Sequence, residues 1–237
     1  MKALKISLGL IVVLIAYLCF WPVPIAPVSW DAPTFEGYVG DFVPNELLAN
    51  LELLDMGDVH GPEDVAGRII DGKLVLLVSS QNGDILAIDP DAGTFETFAQ
   101  TGGAPLGLEF DKAENLIIAD GYKGLLSAAP DGTVTVLTNA VGDTPILFAD
   151  DLDIAPNGII YFSDASTKFG AEAAGGTMAG SLLELMEHGR TGRLLAYNPT
   201  DQTTRVIKTG LSFANGIVMG PDGMSVLMIE TGEYRIL

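Results

Sequence analysis

The chain has 237 residues, 48% of them hydrophobic and 18% charged, a globular composition sufficient for one domain or a small pair. Its 31 Asp and Glu outnumber 12 Lys and Arg, for a net charge of −19, which repels phosphate backbones, argues against nucleic-acid partners and favours cations. One cysteine, Cys19, and two histidines exclude disulfide scaffolds, redox dithiols and zinc fingers.

The chain opens on a short basic stretch, Met1 to Lys5, followed by an uncharged run from Ile6 to Trp21. These 16 residues form a helix of about 24 Å at about 1.5 Å per residue, a little under the hydrocarbon core of a bilayer. Three prolines at positions 22, 24 and 27 end the helix, and Trp21 and Trp30 suit a membrane interface. A cleaved signal peptide and an uncleaved signal anchor compete here. Cleavage wants small residues before the bond, whereas Leu18-Cys19 and Ala26-Pro27 are poor sites. The reading is therefore a transmembrane anchor over residues 1–30. Lys2 and Lys5 place the N-terminus in the cytoplasm and the body, residues 31–237, on the periplasmic, extracytoplasmic or luminal side.

The body repeats one pattern: a turn of Asp, Asn or Gly, an apolar run, a polar stop, and a second strand. Asp71-Gly72-Lys73 leads into Leu74–Val78 and Gly83–Ile88. Asp111–Asn115 leads into Leu116–Asp120 and Gly124–Leu126. Pro156-Asn157-Gly158 leads into Ile159–Asp164 and Gly192–Tyr197, and Pro221-Asp222-Gly223 into Ser225–Glu230. The stops Ser79, Asp120, Asp164 and Glu230 are spaced 41, 44 and 66 residues apart, and the first two spacings match propeller blades. The third spacing holds an insert, residues 167–191, in which Ser181–Glu187 reads as a short helix. A β-sandwich would show shorter turn spacing, and an α/β fold needs amphipathic helices between its strands. The pattern predicts an all-β propeller with three to four blades over residues 60–237. Because a propeller closes its ring, the remainder is expected from further sequence or from another chain.

Several segments occur in an order that resembles the strictosidine synthase-like family. They are Pro105-Leu106-Gly107, Ala119 to Leu125, Phe148-Ala149-Asp150-Asp151-Leu152, Tyr161 to Ser166, Gly192-Arg193-Leu194-Leu195 and Phe213-Ala214-Asn215-Gly216. The resemblance covers about residues 35–237 and is nearest to the adipocyte plasma membrane-associated protein group. The wider superfamily holds the paraoxonases and gluconolactonases. It implies a six-bladed β-propeller of which about four blades are present, and a calcium ion in the central tunnel. Matched residue by residue, the implied ligands are Glu63, Asp150 and Asn215. Asp150 stands where the family carries Asn, and a fourth ligand would lie beyond Leu237.

Calcium takes six to eight hard oxygen ligands, so carboxylates and amide carbonyls suit it. The resemblance implies a membrane-anchored, calcium-dependent hydrolase of lactones or aryl esters acting on a small-molecule substrate. Asp150 and Asp151 are its candidate catalytic bases. Leu106 occupies the position where paraoxonase-type lactonases carry a His base, and leucine moves no proton. A non-enzymatic binding propeller and a strictosidine synthase-type condensing enzyme remain the alternatives. The sequence carries no Gly-x-Ser-x-Gly elbow, P-loop or dinucleotide fingerprint. Asp120, Asp164 and Glu230 are read as structural turn partners, and His60 and His188 as exposed.

Overall fold

A computed structural model of the protein describes residues 2–70 and 72–237. The N-terminal run forms helix α1 (Lys2–Phe20), whose side chains are exposed from Lys5 onward. The expected transmembrane span over residues 1–30 is not found. The Trp21 N–H makes the last helical bond, to the Tyr17 carbonyl at 2.9 Å, and Pro22, without an N–H, stops the helix; among the described residues no helix is long and apolar enough to cross a membrane. Apart from one short 3-10 turn, Gly40–Phe42, residues 21–64 carry no regular element.

From Val65 onward the chain folds into successive antiparallel meanders. The first sheet holds β1 (Val65–Ile70), β2 (Lys73–Ser79), β3 (Asp84–Asp89) and β4 (Thr94–Gln100). The second holds β5 (Pro105–Phe110), β6 (Leu116–Asp120), β7 (Gly124–Ala128) and β8 (Val134–Thr138). A small hairpin, β9 (Ala140–Val141) and β10 (Thr144–Pro145), leads to the third sheet. That sheet comprises β11 (Ala149–Ile154), β12 (Ile160–Asp164), β13 (Gly192–Asn198) and β14 (Thr203–Leu211). Between β12 and β13 lie helices α2 (Ala171–Ala174) and α3 (Thr177–Glu187), so the insert contains two helices and the second begins four residues earlier than its sequence suggests. The last sheet is β15 (Ala214–Met219), β16 (Val226–Glu230) and β17 (Arg235–Ile236). Each sheet runs in chain order from its first strand outward, which is the blade meander expected from the repeats.

The core lies between blades. Leu116 and Ile118 of β6 pack with Leu77, Ile85 and Leu108 on one side, while Ile117 of the same strand packs with Leu152, Phe162 and Leu195 on the other. Strand side chains alternate between faces, so a strand buried on both reads as an unbroken apolar run, as Leu116–Ala119 does. Leu194 and Leu195 repeat this division, the former packing with Ile217 and Met228 of the next sheet. Each such buried side chain contributes about 1.5–3 kcal/mol of hydrophobic stabilisation.

The acids that end the second strands bind to the start of their own blade. Asp120 accepts the Ala104 N–H at 3.0 Å, Asp164 that of Phe148 at 3.0 Å, and Glu230 that of Ser212 at 2.8 Å. All three are fully buried, and Arg193 and Arg235 pair with the second oxygens of Asp164 and Glu230. His60 is exposed as expected. His188 is not: it is buried, because its ring stacks on Trp30 at 4.3 Å and its Nε2 lies 3.1 Å from Glu233 Oε1.

Candidate functional site

The first strands of the sheets, β1, β5, β11 and β15, lie side by side, and β5, β11 and β15 carry a common irregularity. In β5 the pairing jumps from Pro105↔Asp120 to Leu108↔Ile118. In β11 it jumps from Ala149↔Asp164 to Leu152↔Phe162, and in β15 from Ala214↔Glu230 to Ile217↔Met228. Each jump leaves two residues bulged: Leu106-Gly107, Asp150-Asp151 and Asn215-Gly216. In the first sheet Glu63-Asp64 takes this place. Asp64 N–H donates to Ser79 Oγ at 3.0 Å as Asp151 N–H donates to Ser163 Oγ at 3.0 Å. A bulge re-aims its side chains out of the regular alternation. Leu106, Asp150 and Asn215 are therefore equivalent positions on three successive inner strands, and Glu63, just before β1, matches them.

The second member of each pair is a tie or a gap. Asp64 accepts the Leu108 N–H of the neighbouring sheet at 2.7 Å, and Asp151 accepts the Ile217 N–H of its neighbour at 2.7 Å. Asp153, two residues on, repeats this with the Met219 N–H at 2.6 Å. Opposite them stand glycines. A Cβ on Gly107 would lie 2.6 Å from Asp151 Oδ1 and 2.7 Å from Asp151 Cα. Asp64, Asp151 and Asp153 line a polar cleft of about 360 Å³ together with Glu109.

Negative charge accumulates here. Burial pushes Asp150 well above the usual carboxylate range, and the neighbouring Glu63 and Asp151 push it further. Asp150 Oδ2 is buried without a hydrogen-bond partner among the described residues. Glu63 keeps an exposed flank, yet burial of its carboxyl, with Asp151 and Asp64 nearby, raises it to about 7. Asp151 rises to about 6, mainly through burial and in spite of the Ile217 and Leu152 N–H groups that stabilise its charge. Glu109 is raised by burial and then by Asp153 and Asp64. Asn215 is half-buried at the fourth equivalent position.

Of the ligand residues matched by resemblance, Asp150 and Asn215 thus fall on equivalent bulges, and Glu63 stands at the matching place just before β1. Among the described residues no three of His, Cys, Asp and Glu form a metal cluster by themselves. The donor set nevertheless fits a calcium ion. It has only oxygen donors, an orphaned buried carboxylate oxygen, and mutually repelling acids that a cation would relieve. Asp151, named from sequence as a catalytic base, has both carboxylate oxygens occupied by backbone N–H groups of Leu152 and Ile217. Asp64, Asp153 and Glu109 were not singled out from the sequence. The Asp151-x-Asp153 spacing, which puts two carboxylates on one strand face, was the signal available.

The mouth of the inner strands is covered by the insert. Leu106, Phe148 and Phe213 pack with Ala171 of α2, and Tyr122 and Leu185 pack against them. Leu106 is consequently an apolar wall of the site and not a proton carrier.

Two family models match the chain: strictosidine synthase over residues 150–237 and strictosidine synthase-like, N-terminal, over residues 40–88, together more than half of it. Protein STRICTOSIDINE SYNTHASE-LIKE 7 of Arabidopsis thaliana is 32% identical, the match covering 81% of this chain and 50% of the relative. Protein STRICTOSIDINE SYNTHASE-LIKE 13 of the same plant is 33% identical over 89% of this chain and 58% of its own. The adipocyte plasma membrane-associated protein of Rattus norvegicus is 30% identical over 100% of this chain and 64% of its own. The chain spans about half the length of the plant relatives it matches. Among solved structures, a gluconolactonase from Xanthomonas campestris superposes with a TM-score of 0.59 at 16% identity, covering 75% of this chain and 58% of that one. A calcium-binding protein, regucalcin, from Agrobacterium tumefaciens superposes with a TM-score of 0.55 at 15% identity, covering 77% and 55%. At these identities the likeness shows the fold.

Proposed function

We propose, from the premise that the chain belongs to the strictosidine synthase-like family, that it forms part of a six-bladed propeller acting as a calcium-dependent hydrolase of lactones or aryl esters. The observation that carries this reading is Asp150: a buried carboxylate with one oxygen unpartnered, at a bulge equivalent to that of Asn215 and matched by Glu63 before β1. The regucalcin and gluconolactonase structures support it through their fold.

Glu63, Asp150 and Asn215 are the residues that would hold calcium. When bound, the ion supplies electrostatic stabilisation for the negative charge developing on a carbonyl oxygen. The chain's own residues do the rest. Asp151, tied to Ile217 and Leu152, fixes the bulge that aims Asp150. Asp150 Oδ2, the carboxylate oxygen left without a partner, is the atom placed either to face the ion or to accept a proton from an attacking water. Leu106, Phe148 and Phe213 pack under the insert and keep water from the apolar side of the site.

Leu106 also supports a second reading, a propeller that binds a ligand without turning it over, because the position offers no proton donor or acceptor. A strictosidine synthase-type condensation would need a catalytic residue that the site described above does not supply. Attachment to a membrane through α1, with the propeller on the extracytoplasmic or luminal side, is part of the proposal. Its support is that the apolar side chains of α1 are exposed from Ile6 to Phe20.

The test is hydrolysis of phenyl acetate and of a simple lactone by the full protein, with calcium and with a chelator. The reading expects calcium-dependent turnover that Asp150→Ala reduces by at least about a hundredfold, the scale of general acid–base catalysis. Calcium binding without turnover would favour the binding propeller.

A further inference from the structure

An apolar cavity of about 330 Å³ lies between the second and third sheets. That volume is within the range of about 300–1,000 Å³ that holds small ligands. Ile117 of β6 and Leu137 of β8 form one wall, and Ile154 of β11 and Ile160 of β12 the other. Ser127 of β7 lies opposite Ile117 in the ladder, and its short side chain leaves the space between the walls open. The rim is made by the β5–β6, β11–β12 and β13–β14 turns. The cavity therefore opens at the far end of the sheets from the bulges that carry Leu106 and Asp150.

One cation stands at the mouth. Lys112 Nζ donates to the Pro156 carbonyl at 2.6 Å, bridging the β5–β6 turn to the β11–β12 turn, while the lysine also lines the cavity. Among the described residues Lys112 forms no ion pair, whereas Lys168, Arg190, Arg193 and Arg235 each hold a carboxylate. The acid beside it, Asp111, is committed to its own turn. Its Oδ1 accepts the Ala113 and Asn115 N–H groups at 2.8 Å each, and its Oδ2 accepts Asn115 Nδ2 at 2.9 Å. In a chain of 31 acids against 12 Lys and Arg, a lysine bonded to a neutral carbonyl at the mouth of an apolar cavity is out of pattern.

We infer that this cavity is a second ligand site, taking a small amphipathic carboxylate with its apolar chain between the two sheets and its head on Lys112. The walls offer an alkyl chain only hydrophobic contact. A cationic head would be repelled by Lys112. A phosphate head suits the mouth poorly, because the turn N–H groups are already taken: those of Ala113 and Asn115 by Asp111, and that of Gly158 by the Ala155 carbonyl at 2.8 Å. A carboxylate needs less, and an ammonium holds it through a charge-assisted hydrogen bond. The lysine has three donors, so it can take the carboxylate without leaving Pro156. The net charge of −19 does not forbid an anion here, since exposed charges beyond about 8–10 Å are largely screened by salt. This site is separate from the inner strands and stands whether or not they turn over an ester.

The test is calorimetric titration of the full chain with octanoate, below its micellar concentration, and with octanol as the uncharged counterpart. The expected result is one saturable octanoate site, with octanol binding more weakly. Lys112→Met removes the charge from an exposed position and keeps an unbranched stem. It should weaken octanoate by at least about tenfold, the scale of a hydrogen bond to a charged group, and leave octanol unchanged. Ser127→Phe fills the cavity and should abolish both; Ser127→Leu replaces it if thermal melts show the larger side chain to unfold the chain. No saturable octanoate binding overturns the inference. So does octanoate binding that Lys112→Met leaves intact, or that survives a filled cavity, as partition onto the exposed side chains of α1 would. Octanol binding as tightly as octanoate makes the cavity a neutral apolar site and overturns it too. A concentration-dependent dimer that octanoate dissolves would mark the cavity as a contact between copies, with the same consequence.

Discussion

Asp151 reaches across the blade boundary to accept the Ile217 N–H at 2.7 Å, 66 residues away in the chain. On its other side it leaves no room for a side chain at position 107. One residue thus packs between three inner strands, β5, β11 and β15, beside the bulged Asp150.

Gly107→Ala tests how tightly that level is packed. The new Cβ would meet the Asp151 main chain at 2.7 Å, and a backbone atom cannot swing aside. We expect a loss of about 1–3 kcal/mol, typical of overpacking, together with weaker calcium binding. Chemical denaturation and calcium titration of the same variant check both.

Stability should depend on pH with a definite sign. Glu63 and Asp151 titrate at about 7 and about 6 in the folded chain, and Asp150 is also raised by burial. All lie above their unfolded values, so between ordinary carboxylate pKa values and about 7 the folded state holds more protons than the unfolded one. Stability without metal is therefore greatest in mild acid and falls as pH rises through this window. Calcium should raise the melting temperature more at a pH of about 7.5 than at about 5, because ionised acids are what it relieves. Scanning calorimetry with chelator and with calcium at both values decides this; an equal increment at both would contradict it.

Arg193 holds the most enclosed ion pair. Its guanidinium contacts Asp164 Oδ2 at 2.9 and 2.5 Å and the Pro145 carbonyl at 2.9 Å, while burial pushes Asp164 upward against that pairing. Arg193→Ala leaves an uncompensated buried carboxylate and should cost about 3–5 kcal/mol. Urea melts would show it, and the additional substitution Asp164→Asn should recover part of the loss, since an amide oxygen still accepts the Phe148 N–H.

The strap that follows α1, residues 22–30, depends on His188. Its ring lies between the Trp30 indole and the Glu233 carboxylate, and Trp30 also stacks near Tyr234 at 5.8 Å. His188→Ala should free residues 22–30, seen as a red shift in tryptophan emission and faster proteolysis before Asp31. Unchanged cleavage would mean that the two bonds from the Ala26 and Val28 N–H groups to Glu187 suffice to hold the strap.

Much of the architecture was legible in the sequence because its causes are local. Gly-containing turns and apolar runs such as Leu116–Ala119 carry the blade period whatever lies beside them. Strand-end acids at Asp120, Asp164 and Glu230 mark where each run stops, whereas Glu63, Asp150 and Asn215 were reached only through the family resemblance, and their equivalence shows once the strands are paired. The membrane-length span did not follow, because Pro22 ends α1 at Phe20. The insert was only half legible: its helix shows, but its direction of facing does not, since Glu184 and Glu187 look like solvent residues until Ser166, Thr191 and Lys168 are brought to them.

The sequence by itself determined the repeat, the two-sided burial of the strands and the acidic character of the inner loops, all of which depend on residues a few positions apart. Tertiary structure alone decided what the acids do. Asp64 finds Leu108 at a separation of 44 residues, and Asp151 finds Ile217 at 66. Only that meeting turns them into ties and leaves the Asp150 oxygen without a partner. A carboxylate's role is set by which N–H or cation shares its burial, and in this fold those partners come from the neighbouring blade.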